Sequence, residues 1–319
     1  MGSVCAMLLC EKNLNVTMWG YDPGQLKQIE QSHENKKFLP GYKLPDSLKF
    51  EPSDAKILAG TELIVSAVPC QFTRSVWNRL KKYANHAVPI VSVTKGIENQ
   101  TLLRPSEIFT EVLGPNITAV ALSGPTIADE LARHLPATAT AACADEKVAR
   151  EIQQTFNSPQ FRVYRNIDII GVELSGAVKN VIAIAAGIID GIGAGDNAKA
   201  ALLARGLNEI KLLGLAMGAK EHTFAGLSGL GDLVTTCISP KGRNRLFGQK
   251  IGAGATVDEA LAATESVVEG VATCKSVVAL AQRYNIEMPI TEAVYSILFA
   301  GKTVPQALKE LMLRELKAE

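Results

Sequence analysis

Six polar side chains stand where the surrounding apolar pattern does not call for them: Lys95, Lys179, Asn180, Asp232, Arg243 and Asn244. Brought together, two lysines, an arginine and one acid make a cationic pocket suited to a small phosphorylated substrate. A lysine buried near other cations has a lowered pKa and can exchange a proton with a carbonyl or alcohol oxygen. Lys179 is the sharpest instance. It lies in Gly171-Val-Glu-Leu-Ser-Gly-Ala-Val-Lys-Asn-Val-Ile-Ala-Ile-Ala-Ala-Gly187, a run apolar enough for a buried helix. Wound at about 100° per residue, Glu173, Gly176, Lys179 and Asn180 share roughly a third of a turn. Such a polar seam suits a helix lining a site. Taken alone, the segment fits a surface lysine snorkelling to water equally well.

Other chemistries lack their residues. The four histidines (His33, His86, His134, His222) are far apart and none has ligand spacing to a Cys or Asp, so no metal site is expected. No G-x-S-x-G, P-loop or H-E-x-x-H is present. The six cysteines are scattered without a C-x-x-C pair, as expected of reduced thiols in a cytoplasmic protein. A net charge of +1 and 5% aromatics argue against nucleic acid or an anionic membrane as partner. No apolar run reaches membrane-spanning length without a charge or a glycine cluster, and no basic-then-apolar leader opens the chain.

The elements that must position these residues suggest two domains in 319 residues, 1–166 and 167–319. Met1 to Lys12 reads as a helix, followed by a strand Asn15–Gly20 and an acidic turn Tyr21-Asp22-Pro23-Gly24. That is the second half of a βαβ unit. Gly2 fits the third glycine of a G-x-G-x-x-G fingerprint, and Asp22 falls about 20 residues later, where the ribose-binding acid belongs. The first strand and the first two glycines would lie upstream of Met1. A polar helix is expected over Pro23–Gln31. Leu63–Val68 reads as a buried parallel strand, Cys70–Lys82 as a helix, and Pro89–Thr94 as a strand delivering Lys95 at its carboxyl end. Ile117–Ser123 is a further strand. Gly124-Pro125-Thr126 then opens a helix whose backbone N–H groups, with the Thr126 hydroxyl, suit an anion. Strands over Ala137–Ala142 and Gln160–Tyr164 flank a helix over Asp145–Phe156. Beyond Asn166 the pattern is helical throughout, so the fold class is α/β: a Rossmann-type doubly wound sheet plus an all-helical C-terminal domain.

The chain resembles bacterial NAD(P)-dependent glycerol-3-phosphate dehydrogenase. The matching stretches are Val93-Thr-Lys-Gly-Ile-Glu98, Ser123-Gly-Pro-Thr126, Gly176-Ala-Val-Lys-Asn-Val181, Gly229-Leu-Gly-Asp-Leu233, Arg243-Asn-Arg-Leu-Phe-Gly248 and Val267-Val-Glu-Gly270. Each alone is unspecific, but their order and spacing cover essentially the whole chain. The resemblance implies a cofactor domain followed by a substrate domain, with the site between them, and NAD or NADP as cofactor. Lys179 would protonate the carbonyl oxygen of dihydroxyacetone phosphate as hydride arrives. Lys95 would polarise that oxygen or hold substrate, and Asp232 would orient the lysine or the substrate hydroxyls. Arg243 and Asn244 would bind phosphate, with Gly124, Thr126 and Gly242 also on the substrate. Met1, Gly2, Tyr21, Asp22, Lys95, Ala128, Arg243, Val267 and Glu269 would line the cofactor. The product, glycerol 3-phosphate, would feed phospholipid synthesis, and a homodimer is left open.

Three departures from the family pattern matter. Gly242 stands where the family has serine before the Arg-Asn pair, so one hydroxyl contact is lost. Tyr21 replaces the Arg or His of many members, whose cation can take the 2′-phosphate of NADP; this leans towards NAD or mixed use. The third is the missing start. Either the native chain extends roughly 10–15 residues upstream, or this is a catalytically impaired paralogue acting, if at all, as a binding protein. The intact downstream residues favour the first reading. As written, the chain is expected to bind nicotinamide weakly or not at all. A relative acting on another substrate, such as a 3-hydroxyacid or 6-phosphogluconate, is the remaining alternative; the discriminator is the Arg243-Asn244 pair, since a KM for glycerol 3-phosphate little raised by Arg243→Ala would defeat the phosphate assignment.

Overall fold

The computed structural model describes residues 1–264 and 267–316. It divides into two compact units, Met1–Thr94 with Leu103–Ile169, and Lys95–Leu102 with Ile170–Glu319. The segment after Lys95 packs in the helical unit although a strand of the first unit leads into it. Ile97 and Leu102 lie in that unit's core. Ser276 ties the segment down, donating to the Ile97 carbonyl at 3.0 Å and to Asn99 Oδ1 at 2.6 Å.

The first unit alternates helices and strands: α1 (Gly2–Glu11), β1 (Thr17–Met18), α2 (Pro23–Ser32), β2 (Lys49–Phe50), α3 (Asp54–Leu58), β3 (Ile64–Ser66), α4 (Cys70–Leu80), β4 (Ile90–Ser92), α5 (Pro105–Leu113), β5 (Ala119–Ser123), α6 (Ala128–Ala132), β6 (Ala137–Ala142), α7 (Glu146–Phe156) and β7 (Phe161–Asn166). Strands β3 to β7 form one sheet in chain order, and β1 pairs with β2 in a separate two-stranded sheet. All pairings are parallel except β5 with β6. Here β1 and β3 are ends of separate sheets.

Several strands are shorter than their apolar runs, since pairing ends where no neighbour continues: Leu63–Val68 supplies only Ile64–Ser66. The helix from Cys70 stops at Leu80, and one 3-10 turn follows over Lys81–Tyr83. Helix α1 is a core helix, buried from Ser3 to Cys10. Gly2 lets it approach the sheet closely: a Cβ on Gly2 would lie 3.1 Å from the Cβ of Ala67, just past β3.

The second unit is helical: α8 (Ile169–Gly191), α9 (Gly195–Ala216), α10 (Glu221–Phe224), α11 (Asp232–Ile238), α12 (Arg243–Gly252), α13 (Val257–Ala262), α14 (Glu269–Tyr284), α15 (Pro289–Phe299) and α16 (Val304–Met312). Helix α8 is its axis. By length and composition it could cross a membrane, yet 89% of its apolar window is buried inside the unit. Every residue from Gly171 to Ile188 is buried. Its aliphatic side chains meet Ile210, Leu213, Leu233, Phe247, Val277 and Met288 in one continuous core. An apolar helix buried all round is what such packing requires.

Candidate active site

One group of charges in the core of the second unit joins three of the predicted residues. Lys179, in the middle of α8, is only 4% exposed, which excludes a lysine that snorkels to water. Its Nζ donates to Asp232 Oδ1 at 2.5 Å and to Thr236 Oγ1 at 2.6 Å. Lys95 donates to the other carboxylate oxygen, Asp232 Oδ2, at 2.7 Å. Asp232, 2% exposed, thus bridges two ammonium groups. It is delivered by a wide π-helical turn, Leu227–Gly231, that runs directly into α11. Such turns concentrate at functional sites because they re-aim one side chain. Thr236, one helical turn on, donates its hydroxyl to the Asp232 carbonyl at 2.7 Å and so offers its lone pairs to Lys179.

The electrostatics follow from this count. Two cations and one anion leave a buried excess of positive charge, which favours an anionic or strongly polar ligand. Burial pushes the Lys179 ammonium down to about 8; Asp232 opposes the shift and Lys95 adds to it. Two of the three Lys179 protons are directed at Asp232 and Thr236, which leaves the third for a substrate oxygen.

Asn180 carries the site across to two further helices. Asn244 donates to Asn180 Oδ1 at 2.9 Å and accepts from the Gly270 N–H at 3.0 Å. Residue 270 must be glycine: a Cβ there would lie 2.7 Å from both the Asn180 carbonyl oxygen and Asn244 Oδ1. The Asn180–Asn244–Gly270 chain brings together the starts of α12 and α14. Arg243 is exposed beside it and donates to the Val267 carbonyl at 3.2 Å, with Glu269 opening α14. Gly242 is the N-cap of α12 and supplies no side-chain cap, leaving the helix's first N–H groups to other acceptors. Asn244 is thus held at both ends of its amide, with one of its two Nδ2 hydrogens making the bond to Asn180.

In the first unit the structure holds Met1, Gly2, Tyr21, Asp22, Gly124, Thr126 and Ala128. Asp22 caps α2, its Oδ1 accepting from Gly24 N at 2.8 Å and Gln25 N at 3.3 Å. Met1 is the N-cap of α1. One expectation is corrected: Pro125 does not open a helix. Helix α6 starts at Ala128 after an extended Ile127 and has only five residues, while the Thr126 hydroxyl turns back to the Gly124 carbonyl at 3.1 Å. The anion cradle expected there has no helix start to build it.

Family comparison decides the class. Residues 1–149 match the model described as the NAD-dependent glycerol-3-phosphate dehydrogenase N-terminus, and residues 168–309 match its C-terminus. The chain belongs to the NAD-dependent glycerol-3-phosphate dehydrogenase family. It is 47% identical over 320 residues to the glycerol-3-phosphate dehydrogenase [NAD(P)+] of Citrifermentans bemidjiense, covering 100% of this chain and 96% of that protein. It is 46% identical to the corresponding protein of Thermobifida fusca, covering 100% and 95%. The crystal structure of glycerol-3-phosphate dehydrogenase from Coxiella burnetii superposes with a TM-score of 0.93 at 37% identity, covering 98% of this chain and 96% of that one. The Rossmann-like first unit and helical second unit are those of this dehydrogenase family. Among the site residues, sequence reasoning missed Thr236. Its signal was its spacing, four residues after Asp232 and hence on the same helix face.

Proposed function

We propose that this chain interconverts dihydroxyacetone phosphate and sn-glycerol 3-phosphate with NAD(P)H, supplying glycerol 3-phosphate for phospholipid synthesis. The observation that carries the reading is the buried Lys179–Asp232–Lys95 cluster in a chain of this family. In the reductive direction Lys179 gives a proton to the C2 carbonyl oxygen as C2 gains a hydride, and the ketone becomes an alcohol. In reverse Lys179 takes the hydroxyl proton. A lysine pushed down to about 8 is an ammonium at neutral pH, the form that carbonyl reduction needs. Asp232 and Thr236 fix the direction of its remaining proton, and Lys95 stabilises negative charge growing on the same oxygen. Arg243 and the open N-terminus of α12 suit the phosphate dianion.

The first unit fits a dinucleotide. The start of α1 can face a pyrophosphate, its close packing at Gly2 suits the fingerprint position, and Asp22 follows β1 where a ribose acid belongs. Bound there, the nicotinamide group supplies the hydride. The reducing cytoplasm suits six buried cysteines that form no disulfide. The test is to follow NADH and NADPH oxidation at 340 nm with dihydroxyacetone phosphate. Turnover with that ketone is expected, with none for 3-ketoacids in the same assay and none for 6-phosphogluconate when NAD+ or NADP+ reduction is followed instead. Turnover with neither cofactor, or preference for another substrate, would overturn the assignment.

A further inference from the structure

The segment after β1 carries a charge arrangement that proton transfer does not use. Arg79, on α4, lies over two rings, its guanidinium carbon 5.3 Å from the Trp19 centroid and 5.4 Å from that of Tyr21. Its fork is engaged by Asp54 at the start of α3: Nε donates to Oδ2 at 2.6 Å and Nη2 to Oδ1 at 2.8 Å. Trp19 Nε1 donates to the same Oδ1 at 3.1 Å. Arg79 Nη1 turns to the Tyr21 carbonyl at 3.5 Å. One guanidinium, one carboxylate and two rings thus form a charge-paired platform. Beside it stand Tyr21, 64% exposed, and Asp22, whose carboxylate is aimed by its cap on α2. Lys82 sits over the Tyr83 ring at 4.7 Å.

In doubly wound folds this strand end meets the adenosine ribose. An acid there takes the 2′-hydroxyl, and a nearby arginine accommodates a 2′-phosphate. This chain has both groups, but a second acid already holds the arginine. We propose that the Arg79–Asp54 pair makes the first unit select the unphosphorylated adenosine half of its dinucleotide, NADH over NADPH. The inference rests on the dehydrogenase reading for the class of ligand. A 2′-phosphate would meet a guanidinium whose Nε–Nη2 edge and charge Asp54 already takes, while facing Asp22. An unmodified ribose leaves the pair intact and can donate to Asp22. Asp54 is therefore the residue that sets specificity, acting through Arg79.

The test separates adenosine recognition from turnover. Binding of 5′-AMP and of adenosine 2′,5′-bisphosphate to the full chain is measured by ligand-detected NMR, and kcat/KM with NADH and NADPH by absorbance. The wild type should bind 5′-AMP at least about tenfold more tightly. Asp54→Asn, which keeps an acceptor for Trp19, should move the ratio at least about tenfold towards the bisphosphate, and adding Arg79→Gln should abolish that gain. Equal or tighter wild-type binding of the bisphosphate, binding of neither probe, or a ratio that Asp54→Asn leaves unmoved would overturn the proposal. A chain that prefers 5′-AMP yet turns over no dihydroxyacetone phosphate supports the platform and counts only against the assigned reaction.

Discussion

Replacing Asp232 with asparagine keeps the shape of the site and removes the one negative charge between two ammonium groups. The contacts at stake are 2.5 Å to Lys179 and 2.7 Å to Lys95. Removing one partner of a buried ion pair costs about 3–5 kcal/mol. Part of that cost is recoverable, because Lys179 can shed its proton. Its pKa already lies near 8 rather than 10.5, with Asp232 opposing the fall. In the wild type the folded state therefore binds fewer protons than the unfolded state between about 8 and 10.5, and stability rises with pH across that window, by about 3 kcal/mol. Without Asp232 the lysine pKa falls further and the window opens towards lower pH. The stability gap between wild type and Asp232→Asn should be about 3–5 kcal/mol at pH 6 and shrink by more than about 1 kcal/mol by pH 9. Urea unfolding followed by far-UV circular dichroism reads this directly. The kcat for ketone reduction should fall about 100-fold, and the limb of its pH profile that reports Lys179 should move to lower pH. An equal gap at both pH values with an unmoved limb would refute the reasoning.

Thr236→Val removes an acceptor 2.6 Å from Lys179 Nζ. A hydrogen bond to a charged group contributes about 1.5–3 kcal/mol, so kcat should fall at least about tenfold while KM stays within about twofold, and Thr236→Ser should restore most of the rate. Gly270→Ala places a Cβ 2.7 Å from two oxygens on α8 and α12. Overpacking of this kind costs about 1–3 kcal/mol, to be read as a lower Tm by calorimetry together with weaker substrate binding. Glu209, on α9, caps α15 by accepting from Ile290 N, Thr291 N and Thr291 Oγ1, and burial pushes it up to about 7 from 4.5. A raised carboxyl pKa contributes stability that is fully present below 4.5 and lost as pH rises through 7, about 3 kcal/mol in all. Wild-type Tm should therefore fall between pH 5 and 8, and Glu209→Gln should flatten that slope.

Much of the site was legible because chemistry forces unusual residues into apolar surroundings. Lys179 declared itself as an ammonium in a greasy helix, and Lys95 as a cation at a strand's carboxyl end. What sequence could not supply was partnership. That Asp232 bridges both lysines depends on a π-helical turn which no periodicity announces, and Thr236 reads as an ordinary helix residue until Asp232 is placed. Asn244 reads as a phosphate ligand by type, and sequence could not show that Asn180 and Gly270 also hold its amide in place. The Lys95–Leu102 segment follows a strand in sequence but buries Ile97 in the helical unit, because apolar packing ignores chain order. Pro125 misled for a local reason. It permits a helix start, but the chain stays extended through Ile127.

The central claim is that Lys179 exchanges the proton with the substrate oxygen. Lys179→Met preserves the length and packing of the side chain and removes its proton. Single-turnover oxidation of NADH by saturating dihydroxyacetone phosphate should slow about 10²–10⁴-fold, with cofactor affinity kept within about twofold. A single-turnover rate within about tenfold of the wild type would contradict the account.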